Sequence, residues 1–405
     1  MPPTPSPAHP HGTGARAVSM TAVLAGVLLV AMNMRPAFTS VGPVLADIRV
    51  DFGLSGSAAA LLTGLPVISL GVLSLLAPLM SRRLGLERAI GVALLALLAG
   101  LALRVVDGFG GLLAGTVLVG GAIASMNVLL PVIVKRDFPD RAGRITGMYT
   151  AAMAVMASVA VAATIPIGTL TGLGWRGGLG FWALPVVLAL IAWAPQLRNR
   201  SEGLGRLPGG VGELLRDPLA WQVTVFLGLQ SLGFYAVVAW LPSVYRDQGI
   251  APSDAGLLAA VVPLAAAIGG LTVPARAARA RDQRAATFLA SVGTAVGLAG
   301  LALAPLAAPL LWVLVIGISQ GAGFPLALTL VVLRSRTPAE TQRLSAMAQS
   351  LGYSIAALGP LLAGAVHDAT GGWTATLGLL ALLTVGQAVT GLWAGRARFV
   401  GSARA

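Results

Sequence analysis

VSMTAVLAGVLLVAMNMRPAFTSVGPVLADI, Val18–Ile48, decides how the rest of the chain is read. Its first half is apolar without a break, and it runs into NMRPAFTSVGPVLADI with no turn signal. Together they exceed the roughly 20 helical residues needed to cross a hydrocarbon core. Arg35 nevertheless lies inside. A helix starting near residue 18 and rising about 1.5 Å per residue places Arg35 about 25 Å along it, near the midplane or somewhat beyond. That is too far from the entry end for easy snorkelling. A cation at such depth is costly and usually lines a cavity or a path. Pro36 follows directly, and Gly42-Pro43 comes two turns later. Prolines free backbone carbonyls, which is tolerated where a helix lines a water-filled space.

The apolar pattern of this stretch recurs along almost the whole chain. Of 405 residues, 56% are hydrophobic and 10% charged, against about 25% charged in a soluble domain. The mean hydropathy is +0.86. A set of soluble domains is excluded. The absence of cysteine rules out disulfides, thiol nucleophiles and thiolate metal sites. Two of the histidines, His9 and His11, lie in the N-terminal tail, and the third is His367. No metal or cofactor is expected, and no phosphate-binding loop or HExxH motif is present. His367 and Asp368 adjoin each other, but no nucleophile is specified near them, so an enzyme is not expected. A receptor would be expected to carry an appended domain, and the linker at about 196–218 is too short for one.

Apolar helices are expected at about 18–46, 55–79, 89–106, 111–134, 145–168 and 175–195. Six more are expected at about 219–245, 254–273, 285–304, 310–333, 344–366 and 373–394. The first 17 residues, rich in proline and small polar residues, read as a disordered tail. They run into the first span without an A-x-A site, so signal cleavage is not expected. Residues 18–195 form a first six-helix unit, 196–218 a polar linker, 219–394 a second unit, and 395–405 a tail. Basic residues crowd alternate connections: Arg82, Arg83 and Arg88; Lys135, Arg136, Arg141 and Arg144; the linker; Arg276 to Arg284; and Arg334 to Arg343. The other connections hold only Arg49, Arg104, Arg176 and Arg246. Since positive residues face the cytoplasm, both termini are expected inside. The net charge of +13 is accounted for without nucleic acid. Abundant alanine and arginine, with lysine scarce, point to a GC-rich bacterial genome and hence to the bacterial cytoplasmic (inner) membrane, with lipid around every span.

The two units match weakly at one offset of 199 residues. Pro43 corresponds to Pro242, Gly71 to Gly270, Pro139 to Pro338 and Arg144 to Arg343. Two similar six-helix bundles around a central cavity permit alternating access, one bundle rocking against the other. Length, span number and repeated halves resemble the major facilitator superfamily. NMRPAFTSVGPVLADIRVDFGLS, through Asn33, Arg35, Pro36, Thr39, Ser40, Gly42 and Pro43, resembles the start of the cyanate and 2-nitroimidazole transporter family. The resemblance implies an all-α membrane protein of the major facilitator fold. In the superfamily's loop after the second helix, a glycine precedes Asp-Arg and Gly-Arg. Here PLMSRRLGLER keeps Arg83 and Gly85 but carries Arg82 at the acidic position. Gating through that aspartate is therefore in doubt here.

The resemblance also implies which helices face the cavity: the first, fourth, seventh and tenth, helped by the fifth, eighth and eleventh. Candidate substrate ligands follow. In the first span they are Arg35, flanked by Asn33 and Thr39, with Arg35 and Thr39 on one face. The fourth offers Asn127, and the seventh offers Gln230, Tyr235 and Trp240. The tenth offers Gln320 and Phe324 on one face. The fifth offers Tyr149, four residues before Met153, and the eleventh offers Gln349 and Tyr353. Each amide is as readily a helix tether as a ligand, and Trp240 as readily an interface anchor. Asp47, Arg83, Lys135 and Arg136 are candidates for coupling or gating.

All acidic residues fall near span ends, none mid-span. Arg35 thus lacks an evident carboxylate partner, and an unpaired buried cation is costly. An anionic or electron-rich planar solute would satisfy it. Coupling is left open among a proton carried by the substrate, Asp47 near the outer mouth, an exchanged anion, and simple facilitated passage. The alternative function is multidrug or metabolite efflux within the same superfamily. Each chain can hold its own pathway, so a monomer is expected.

Overall fold

Pro36, Pro43, Pro78 and Pro360 each lack the amide hydrogen that would bond the carbonyl four residues earlier in a helix. In the computed structural model, which describes residues 20–54, 56–106, 108–198 and 214–401, helices break beside all four. The first span, Met20–Leu45, is interrupted at Arg35 and again at Ser40. The second is the bent pair Leu65–Leu73 and Leu76–Leu84, turned by 52°. Pro78 leaves the Ser74 carbonyl without its usual donor, and the backbone N–H of Ala77 donates to it instead, at 3.3 Å. In the eleventh, one helix ends at Ala356 and the next begins at Leu358.

The remaining spans are Leu86–Val105, Phe109–Asp137, Pro139–Thr171 and Gly174–Arg198, then Pro218–Asp247, Asp254–Ala277, Arg284–Leu303, Pro309–Leu333, Pro338–Thr370 and Trp373–Ala394. Counting the bent pair as one, the described residues give 12 candidate membrane crossings. All regular structure among them is helical. Leu257, Leu289, Leu361 and Leu382 are well exposed on the outer surface, where lipid rather than water is the fitting solvent. The expected N-terminal tail, Asp107 and most of the linker lie outside the described residues. Arg104 corrects the expected charge count: it belongs to the third span and is 0% exposed, buried rather than in a connection.

Within the first half, the first span packs on the fifth and sixth, and the fourth on the second and third. Within the second half, the eighth packs on the tenth, the ninth on the twelfth, and the seventh on the eleventh. The halves meet mainly through the fifth span against the eighth and the eleventh against the second and fourth. Lipid supplies no hydrophobic drive between helices, so small residues at contacts matter. A Cβ on Gly147 would lie 2.5 Å from the Gly270 carbonyl oxygen, and one on Gly143 would strike that of Pro274. These backbone approaches join the fifth and eighth spans at the end bearing the basic connections. Toward the opposite end, Ala157–Ala162 and Gly256–Ala260 include residues on facing sides of a central cavity.

Candidate functional site

The cavity has a volume of about 700 Å³ and is walled from both halves. Arg35 enters it where the first span breaks. The Arg35 carbonyl accepts from the backbone N–H of Phe38 and Thr39, each at 2.9 Å, and from the Thr39 hydroxyl at 3.1 Å. Thr39 Oγ1 also lies 3.2 Å from the Ala157 carbonyl oxygen, tying the broken segment to the fifth span. The half-buried Arg35 guanidinium lies 5.8 Å from the ring centroid of Phe234 and 5.8 Å from that of Phe324. Among the described residues it has no ion pair and no side-chain hydrogen bond. No aspartate or glutamate among the described residues lines the cavity.

The structure brings Arg35, Thr39, Gln230, Tyr235, Gln320, Phe324 and Tyr353 together on the cavity wall, with Met153. The other candidates lie off that wall. Asn33 is buried and donates to the Leu29 carbonyl of its own helix at 2.8 Å. Asn127 offers its carbonyl to Gln349 Nε2 at 2.8 Å, and that amide also donates to Ser345 Oγ at 2.9 Å. Gln349 and Asn127 thus tether the two halves. Tyr149 is 1% exposed within the packed core. Trp240 donates to the Pro360 carbonyl at 2.9 Å, bracing the break in the eleventh span.

The coupling and gating candidates separate likewise. Arg136 is bound within its own half, to Glu87 at 2.6 Å and to Asp137 at 2.6 Å. Arg83 and Asp47 are exposed and Lys135 half-buried. A neutral side-chain contact between halves lies near that basic end: Gln342 Nε2 donates to Ser81 Oγ. Ser81 directly precedes Arg82, so the loop that departs from the superfamily's acidic pattern still contributes to a contact between halves.

Several wall residues were not singled out from sequence. Phe38 faces Tyr235 with centroids 6.4 Å apart, and Phe234, Thr150 and Ser231 complete the polar and aromatic rim. Phe38 could have been found as the residue three beyond Arg35, and Phe234 as its repeat equivalent, 35 + 199 = 234. Arg104 supports the site from behind. Its Nε donates to Thr116 Oγ1 at 3.1 Å and its Nη1 to the Ala37 carbonyl, beside the break that sets Arg35. Nothing in its sequence context, three residues from a predicted loop, separates it from an ordinary flanking arginine.

Two halves of membrane-crossing helices around a solute-sized chamber, closed together at one end, define a membrane carrier. The chain belongs to the Major Facilitator Superfamily, whose sequence profile matches residues 24–360. Within it, the chain is related to the cyanate and nitroimidazole transporters. It is 39% identical over 377 residues to the 2-nitroimidazole transporter of Escherichia coli, covering 92% of this chain and 95% of that one. It is 33% identical over 378 residues to the cyanate transport protein CynX of Escherichia coli, covering 92% and 97%. The solved structure of the proton:xylose symporter XylE aligns with a TM-score of 0.79 over 94% of this chain and 97% of that one. At 14% identity that likeness is one of fold. The protein is thus a multi-pass bacterial inner-membrane transporter that moves a small solute by alternating access, and not an enzyme.

Proposed function

We propose that the solute is small, planar, and anionic or electron-rich, and that Arg35 is its central ligand. The observation that carries this reading is a guanidinium 5.8 Å from each of two rings, in a chamber that no carboxylate lines among the described residues. Desolvating a cation without a counter-charge is unfavourable, and an incoming anion or electron-rich group relieves it. Phe234, Phe324, Phe38 and Tyr235 offer flat apolar surface for a ring. The names of the relatives, a 2-nitroimidazole transporter and a cyanate transport protein, are consistent with such a solute. The lack of a wall carboxylate weighs against the export of cationic drugs.

The positive-inside rule assigns the basic end and both termini to the cytoplasm, so the cavity described here faces outward. With no carboxylate at the chamber, a proton would travel on the solute itself, or an anion would be exchanged, or the solute would run downhill. One chain encloses the whole cavity, so a monomer suffices. The test is flux and binding with the purified carrier in liposomes, screened against cyanate, nitrate, small carboxylates and nitroimidazoles with pH and voltage varied. Arg35→Lys in a folded protein is expected to lose affinity, because lysine lacks the planar guanidinium fork. Unchanged affinity would reject the ligand role.

A further inference from the structure

Across the chamber from the first span, two glutamines form an arrangement with one donor left over. Gln230 and Gln320 are 2% and 3% exposed, and both line the cavity. Gln230 Nε2 lies 3.2 Å from the backbone carbonyl oxygen of Gln320 and 3.2 Å from its side-chain Oε1. Ser231 Oγ donates to Gln230 Oε1 at 3.2 Å. Amide orientation has to be argued from such a network, and here the backbone decides it. A carbonyl cannot donate, so the group facing it must be the Gln230 NH2. That NH2 in turn requires the oxygen of Gln320 to face it. The Gln320 NH2 is then left without a partner, buried at the chamber. Two glycines make the space: Gly323 backs the Gln230 Cγ, and Gly233 lies against the Gln320 Nε2.

We infer that the Gln320 NH2 is a specificity donor for a second, neutral acceptor on the solute. A buried unpaired donor carries its desolvation penalty until something accepts from it. A site built this way rejects analogues that lack the acceptor much more sharply than it rejects changes in apolar bulk. Gln320 lies one helical turn from Phe324, whose ring flanks Arg35, a rise of about 6 Å. The class of solute follows: a planar ring bearing an anionic or electron-rich group for Arg35 and, elsewhere on the ring, a carbonyl-like oxygen for Gln320. A chamber of about 700 Å³ accommodates such a ring and is far larger than a triatomic ion requires. Because Arg35 belongs to the first half and Gln320 to the second, one such solute bridges both. This inference rests on reading the chamber as the solute site.

The experiment compares two shape-matched probes, 4-acetylbenzoate and 4-isopropenylbenzoate, which differ by a carbonyl oxygen against a methylene. Binding to the purified full chain is measured for wild type, Gln320→Leu, Gln320→Met and Arg35→Ala, each checked for monodispersity and melting temperature. Wild type is expected to bind the acetyl compound at least tenfold more tightly. Both Gln320 variants are expected to reduce that ratio to within twofold of unity, with affinity for the isopropenyl compound unchanged. Methionine nearly matches glutamine in length, so it serves if leucine perturbs the fold. Arg35→Ala is expected to weaken both probes together. If wild type does not prefer the acetyl compound, or if the preference survives in either folded Gln320 variant, the donor role is overturned. If Arg35→Ala binds both probes as wild type does while Gln320→Met loses the preference, the Arg35 reading fails and the donor role stands. If wild type binds neither probe, the inferred solute class is wrong.

Discussion

The first and seventh spans are repeat equivalents that solved one problem in opposite ways. Both carry a proline at the matched positions Pro43 and Pro242. The first is broken at Arg35 and Ser40, whereas the seventh is one helix from Pro218 to Asp247. Pro36 makes part of the difference, since the seventh span has Tyr235 at that position. The chemistry diverged too: Arg35 corresponds to Phe234, and the two meet across the chamber at 5.8 Å. The first half supplies charge on a bent segment, and the second supplies rings and amides on a straight one. A solute held between them would touch unlike walls, which gives each half its own share of specificity.

Elsewhere the halves stayed alike. Trp175 Nε1 donates to Asp51 at 3.1 Å, and Trp373 Nε1 donates to Asp247 at 2.6 Å. Each pair ties the start of its half's last span to the outer end of its first. The group that covers each indole differs in type and comes from a different place in its half. The Arg176 guanidinium lies 4.3 Å from the Trp175 ring, and His367 stacks on Trp373 at 3.9 Å. The outer braces thus kept the same partner types while the chamber residues Arg35 and Phe234 diverged.

The sharpest way to break the contrast of charge against rings is Arg35→Ala. Transport in liposomes is expected to fall at least 100-fold, about 2.7 kcal/mol; activity within tenfold of wild type would mean that the charge is not what the first half provides. A smaller loss tests two glycines at the contacts between halves. Gly147→Ala drives a Cβ to 2.5 Å from a backbone oxygen, whereas Gly71→Ala meets the movable Ser354 hydroxyl at 3.2 Å. Initial rates are expected to drop about tenfold for the first and about twofold for the second. Equal effects would show that the two interfaces between halves tolerate crowding alike. Phe234→Leu removes one face of the cation–π pair, worth about 0.5–2 kcal/mol, so solute affinity is expected to weaken several-fold without loss of fold. The smallest effects on transport are expected at the braces, whose loss is read in stability instead. Trp175→Phe and Trp373→Phe each delete a hydrogen bond to a carboxylate, worth about 1.5–3 kcal/mol. Similar drops of a few degrees in melting temperature are expected, and a drop in only one would mean that the braces are not equivalent.

The spans were legible because lipid imposes one rule on every residue that meets it. An uninterrupted apolar run of the right length has no other stable form in a bilayer. Helix breaks were legible only in part: Pro36 and Pro43 mark the broken first span, but Pro66, Pro131 and Pro242 lie inside continuous helices, because neighbouring groups can re-satisfy the freed carbonyls. Arg35 could be singled out for a related reason: a charge far from a span end has few places to go. Wall membership was another matter. Gln349 and Gln320 look equivalent in sequence, yet one tethers the fourth span and the other lines the chamber with its amide nitrogen buried and unpartnered. Arg104 looked like a loop residue and became a buried support for the first-span break. Such assignments depend on helix rotation and on which carbonyl a neighbouring helix presents, quantities fixed only when all the spans pack together. The sequence by itself determined what must lie in the membrane; the tertiary structure alone decided which prolines became breaks and which buried polar groups found partners, because both depend on what the neighbouring helices present.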